Sequence, residues 1–159
     1  MNAIDVFKSM IERVPADLRS IPCDQAKPKR NGGWSAAQEL GHLLDSAIMN
    51  HTRVIRVLTE IAPELPSYDG DFCVAAHAYA ERDWDELIIV WEKLNRHFLM
   101  AVDHLPEESW QRTCFSEGKQ VRLELLFADY VSHALHHLQH IGIDVETFPR
   151  ALGARVLDR

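Results

Sequence analysis

Apolar residues recur every three or four positions along four stretches of the chain, the spacing of helices that bury one side. In residues 4–18 the step is kept by Ile4, Phe7, Ile11, Val14 and Leu18. A polar loop with Pro22, Pro28, Gly32 and Gly33 follows. A second helix opens at Trp34-Ser35-Ala36-Ala37-Gln38, where the Ser35 hydroxyl can cap free amides and Gln38 can reach back. Its stripe is Leu40, Leu44, Ala47, Ile48, Ile55 and Leu58, and Pro63 and Pro66 end the pattern. Residues 63–82 form a long connection with room for a short helical piece near 75–80. The third helix starts near Asp83, with Glu86 three positions on. It buries Trp84, Leu87, Ile88, Trp91, Leu94, Phe98 and Val102 and stops before Pro106. Turns run through Gly118, with one strand-like piece near Val121. A fourth helix then reads continuously over 123–148, up to Pro149.

Helices that are each apolar on one side must pack on one another. The expected fold is all-α, a four-helix bundle with long connections, in one domain over residues 1–149 with a short charged tail, 150–159. A chain of 159 residues suits one domain with a substantial core. Net charge is −7, and Lys and Arg are scattered, which argues against a nucleic-acid or anionic-membrane surface. No apolar run approaches the roughly 18 residues that span a bilayer. Cys23, Cys73 and Cys114 are too far apart and odd in number for a disulfide framework, so a reducing compartment is the simplest reading. The N-terminal stretch is amphipathic rather than signal-like, and a soluble cytoplasmic protein is expected.

The chemistry concentrates near the C-terminus, where His133, His136, His137 and His140 fall within eight residues. Imidazole is the commonest protein ligand for divalent metals of the zinc type. At about 100° per residue, the apolar stripe of the last helix runs through Leu123, Leu126, Tyr130, Ala134, Ile141 and Phe148. His137 lies at its edge and His133 just beyond, with His136 and His140 further toward solvent. His133 and His140 are separated by roughly 10 Å along the axis, too far to share one ion. Asp129 is better placed to fix the tautomer of His133 than to join it on a metal. A third ligand must come from elsewhere, and His42 and His51 are the candidates; His77, His97 and His104 are isolated. His51 sits in the apolar stripe of the second helix, and His42 nearly opposite, with Ser46 and Met49. Either that helix is covered on both sides, for instance by a partner subunit, or His42 is exposed. Periodicity leaves the choice open.

The segment Trp34-Ser35-Ala36-Ala37-Gln38-Glu39-Leu40-Gly41-His42 resembles the first signature of the DinB-like (YfiT-like) metalloprotein superfamily. The segment from His133 to Ile141 resembles the second, a His-x-x-x-His pair on the last long helix. The resemblance covers residues 4–148 in order and helix length. It implies a bundle holding one divalent metal, often as a homodimer; the affinity order at imidazole sites favours nickel, copper and zinc, and zinc or nickel is expected. Its three ligands fall on His42, His133 and His137, with water or substrate completing the shell. The Gly-Gln usual after the second histidine is here Leu138-Gln139-His140, and His136 and His140 have no role in the resemblance.

An open three-histidine ion would activate a bound water or thiol. The resemblance favours transfer of a low-molecular-weight thiol to an electrophilic small molecule. Hydrolysis by metal-activated water is the alternative, and a non-catalytic structural metal the third reading. A structural zinc normally has four protein ligands, and no fourth is evident. Asp129, Glu39 and Asp45 read more readily as solvated carboxylates than as partners of a ligand, and the three cysteines lack a basic neighbourhood that would make a nucleophile.

Overall fold

In a computed structural model of the chain, residues 3–29 and 33–148 are described. Gly32, Pro149 and the segment 150–159 lie outside them, and with them the expected boundary between domain and tail. In chain order come α1 (Ala3–Arg19), a short α2 (Cys23–Ala26), α3 (Ala36–Thr59), strand β1 (Glu64–Leu65) and α4 (Gly70–His77). A 3-10 turn (Tyr79–Glu81), α5 (Trp84–Val102), a short α6 (Glu107–Trp110), β2 (Thr113–Ser116), β3 (Lys119–Arg122) and α7 (Leu123–Ile141) complete it.

The four long helices are the expected bundle, and α3 starts by the expected device. The Ser35 hydroxyl accepts from the Gln38 amide at 3.2 Å, while the Gln38 side chain accepts from the Ser35 amide at 3.0 Å. The last helix ends earlier than its apolar pattern. Gly142 takes φ 104°, a left-handed conformation that glycine adopts without strain. The Ile143 amide turns back onto the Leu138 carbonyl at 3.0 Å. Residues 142–148 therefore leave the helix, although Phe148 remains in the core.

A small sheet is the addition that periodicity did not reveal beyond Val121. Strand β1 pairs in parallel with β2, and β2 pairs antiparallel with β3. The β2–β3 hairpin turns through Glu117 and Gly118, both at positive φ (53° and 74°), as a two-residue turn of the primed kind requires. Each strand has four residues or fewer, too short for alternation to stand out.

Round the bundle the order is α1, α5, α3, α7, with α7 closing back on α1. The connections 20–35 and 103–122 therefore cross between helices that are not neighbours. Helices α3 and α5 are neighbours, so the connection 60–83 is longer than its span requires. It folds back as β1, α4 and the 3-10 turn, and α4 and the turn cover α3. Residues 39–47 of α3 are consequently buried on every side. The face bearing His42 is closed by the chain itself, without a second subunit. The expected stripe shifts accordingly: Leu43, Val54 and Val57 are buried, whereas Ile48 and Ile55 are exposed.

An aromatic group binds α1, α5 and α7 at the core. Phe7 lies 5.7 Å from Phe98 and 5.5 Å from Phe127 between ring centroids, both edge-on. Such pairs contribute about 0.5–1.5 kcal/mol each beyond area burial. On the other side of α3, Gly41 lets Tyr79 lie flat, since a Cβ there would fall 2.1 Å from the Tyr79 ring. The Tyr79 hydroxyl then donates to Asp45 at 2.8 Å. Gly41→Ala gains about 1 kcal/mol of helix propensity, but the ring must move, at a cost of about 1–3 kcal/mol. The variant should be less stable than wild type by urea unfolding; equal or greater stability would show that Tyr79 is free to leave.

Candidate metal centre

Glu39, His42 and Ser46 occupy one face of α3, at three- and four-residue steps, and that face meets α7. Opposite them stand His133 and His137, one turn apart. The His42 and His133 Nε2 atoms are 3.2 Å apart, and the His133 and His137 Nε2 atoms 3.0 Å. The ligand atoms of all three lie within 4.8 Å of one another. His42 is 7% exposed, and His133 and His137 are partly buried.

Proton bookkeeping shows what this cluster suits. One imidazole nitrogen carries either a proton or a lone pair, so His133 Nε2 can satisfy only one of its two neighbours. Glu39 Oε2 lies 2.6 Å from His137 Nδ1. That carboxylate draws the His137 proton to Nδ1 and leaves Nε2 with its lone pair facing the others. At zinc–nitrogen bonds of about 2.0–2.1 Å, the edge of a tetrahedral shell is about 3.3 Å, close to the separations found. The donor set therefore fits one divalent ion, which His42, His133 and His137 could hold.

The surroundings come from the connections. Trp34, just before the α3 cap, lies 5.1 Å from the His42 ring, and Tyr68 lies 6.5 Å from it, stacked. Gly70 opens α4 against the same ring: a Cβ there would come 3.0 Å from His42 Cε1. Ser46 Oγ is 3.4 Å from His133 Nδ1 and accepts from Asn50 at 3.3 Å. Tyr68 is hydrogen-bonded to Ser46, and burial pushes its phenol above the ordinary value. A cavity of about 360 Å³ opens beside the histidines, lined also by Ser46, Asn50, Arg53, Ser67, Tyr68, Gly70, Glu117, Asp129 and Tyr130.

The comparisons follow the geometry. The DinB superfamily model matches residues 6–141. The chain belongs to the DinB superfamily. Among curated DinB relatives, a Bacillus licheniformis protein is 27% identical over 134 residues, 83% of this chain and 75% of its own. YfiT of Bacillus subtilis is 26% identical over 155 residues, 86% of this chain and 81% of its own. Both are named as candidate metal-dependent hydrolases. The solved YfiT structure superposes with a TM-score of 0.77 at 25% identity, covering 87% of this chain and 83% of YfiT. It is described as having an unusual four-helix bundle topology. A mycothiol-dependent maleylpyruvate isomerase superposes with a TM-score of 0.75 at 15% identity, covering 92% of this chain and 63% of its own. At that identity the likeness concerns the fold.

The other candidates of this DinB protein fall elsewhere. His51 faces α5, its ring 5.1 Å from His97 and 5.4 Å from Phe98. His97 is thus paired rather than isolated, and so is His77, whose Nδ1 lies 3.3 Å from Asp45. Glu39 and Asp45 are 7% and 6% exposed, buried rather than solvated. Nothing in the residue types announced that; only the covering of α3 does. Asp129 lines the cavity. Burial raises the Cys73 and Cys114 thiols, keeping them protonated near neutral pH.

Metal content separates the two histidines of α3: His42→Ala should lose the ion while His51→Ala retains it, and the reverse would exclude His42. Glu39→Gln should weaken zinc binding about 10–100-fold in a chelator competition, the usual effect of removing the group that orients a ligand; unchanged affinity would assign Glu39 no such part. His51 has its pKa lowered by burial, then by His97. Protonation therefore opposes folding, and its contribution to stability falls as pH drops below its ordinary value of 6.5. Between about pH 7 and 5, His51→Leu should lose less stability than wild type in urea unfolding; an equal loss would contradict this.

Proposed function

We propose that His42, His133 and His137 hold one divalent ion, zinc or nickel, and that the protein is a metal-dependent transferase. Its cosubstrate is a low-molecular-weight thiol, and its acceptor a small electrophile in the cavity. The observation that carries this is the convergence of three imidazole nitrogens on one wall of a cavity of about 360 Å³. When bound, an ion on three neutral imidazoles supplies Lewis-acid activation and lowers the pKa of a water or thiol at its open face.

The chain's own residues have separable tasks. Glu39 holds the His137 ring so that Nε2 is the donor atom. Ser46, within reach of both His133 Nδ1 and Tyr68, keeps the second ring in place. Asn50, Arg53, Ser67 and Tyr68 give the cavity hydrogen-bonding walls suited to a polar cosubstrate of drug-like size. Of the two carboxylates lining the cavity, Glu117 and Asp129, Asp129 stands on the same helix as His133 and His137 and would take the thiol proton. The sulfur–carbon bond forms as the leaving group departs with its electron pair. The chain's cysteines are not among the cavity residues, so the thiol is supplied from outside. The mycothiol-dependent enzyme of the same fold supports a thiol cosubstrate.

Hydrolysis is the second reading, favoured by the names of the curated relatives. In it Asp129 takes a proton from water instead.

A panel of thiols and electrophiles decides between them. Metal-loaded protein should consume thiol and electrophile together, and His137→Ala should lower the rate at least about 100-fold, because metal activation contributes several kcal/mol. Turnover of esters or amides with no thiol present would replace transfer by hydrolysis. Chelation should abolish activity and leave the far-ultraviolet dichroism of the bundle nearly unchanged, since its core is built from apolar side chains. Unfolding on chelation would make the metal structural.

A further inference from the structure

The four histidines of α7 divide into two pairs, and only one pair faces the cavity. His136 and His140 stand on the solvent side, both exposed, with ring centroids 4.2 Å apart. Glu39 reaches both pairs. Its Oε2 is committed to His137 Nδ1 at 2.6 Å, while its Oε1 lies 3.4 Å from His140 Nδ1. Glu39, His137 and His140 form a second group whose ligand atoms lie within 4.8 Å of one another; His136 is not a member of it and adjoins it through the His140 ring.

We propose that His140 and the outer oxygen of Glu39, with His136 one turn back beside His140, form a second, solvent-facing site for a divalent ion that prefers imidazole. Zinc, nickel and copper are of that class. Three features favour it. Histidines four apart on one helix face can present two nitrogens to a single ion. A carboxylate has two acceptor oxygens, so Oε1 can take a cation while Oε2 keeps the His137 proton. The carboxylate is buried and negative, and a cation at its outer edge offsets that charge. With two exposed imidazoles and one shared oxygen, the site binds more weakly than the cavity centre. Through Glu39 it adjoins the cavity centre, whose ligands are other residues.

Zinc alone is the probe, titrated into the metal-free full chain against a chromophoric chelator. Wild type should take two equivalents, one tight and one weaker. His136→Ala/His140→Ala, at two exposed positions, should lose the weaker equivalent and retain the tight one. His42→Ala should do the opposite, so failure of the cavity centre and failure of the outer site read differently. Two equivalents in the His136→Ala/His140→Ala variant, or a single equivalent in wild type that survives those substitutions, would overturn the proposal.

Discussion

A part-buried hydrogen bond between Glu39 and His137 joins the two helices on which the site depends. A carboxylate taken out of water is costly unless a partner satisfies it. Here the partner is an imidazole on the facing helix, at 2.6 Å. The bond does two jobs at once. It makes a polar face of α3 tolerable inside the bundle, and it aims the remaining nitrogen of His137 at His42 and His133. Without it the three rings would crowd three nitrogens with no rule for their protons.

The same face is also covered from the other side, and the topology explains how. Helices α3 and α5 are neighbours, yet more than twenty residues connect them. That excess is folded over α3, so Tyr79 caps Asp45, while Tyr68 and Gly70 flank His42. Bundle and covering segment have different duties. The helices fix the nitrogens to within the width of a coordination shell. The connection and the hairpin turn supply Ser67, Tyr68 and Glu117 to a cavity otherwise lined mainly by α3 and α7.

Much of this was readable from the sequence, and the failures share a cause. Ser35 and Gln38 announced the start of α3, because capping is a local interaction. The pairing of His133 with His137 followed from helical geometry on one element. The third position, His42 or His51, could not be chosen by periodicity. Helix α3 packs on α5, on α7 and on its own following connection, so it has no single buried stripe. His51 meets α5 and His42 meets α7, and a hydrophobic pattern registers only the first. Glu39 and Asp45 read as solvated for the same reason. The family resemblance pointed to His42 where the pattern could not. The end of α7 was a different failure: apolar spacing continued to Phe148, but Gly142 and its backbone hydrogen bonds stop the helix. The short strands are held by pairing distant in sequence, β1 to β2 above all, and leave almost no local trace.

X-ray absorption on the zinc-loaded protein at one equivalent reads the coordination shell itself. The account predicts three imidazole nitrogens at about 2.0–2.1 Å and one exchangeable light atom, with sulfur taking its place when a small thiol is added. A shell closed by four protein ligands, or one that keeps three imidazoles after His42→Ala, would contradict it.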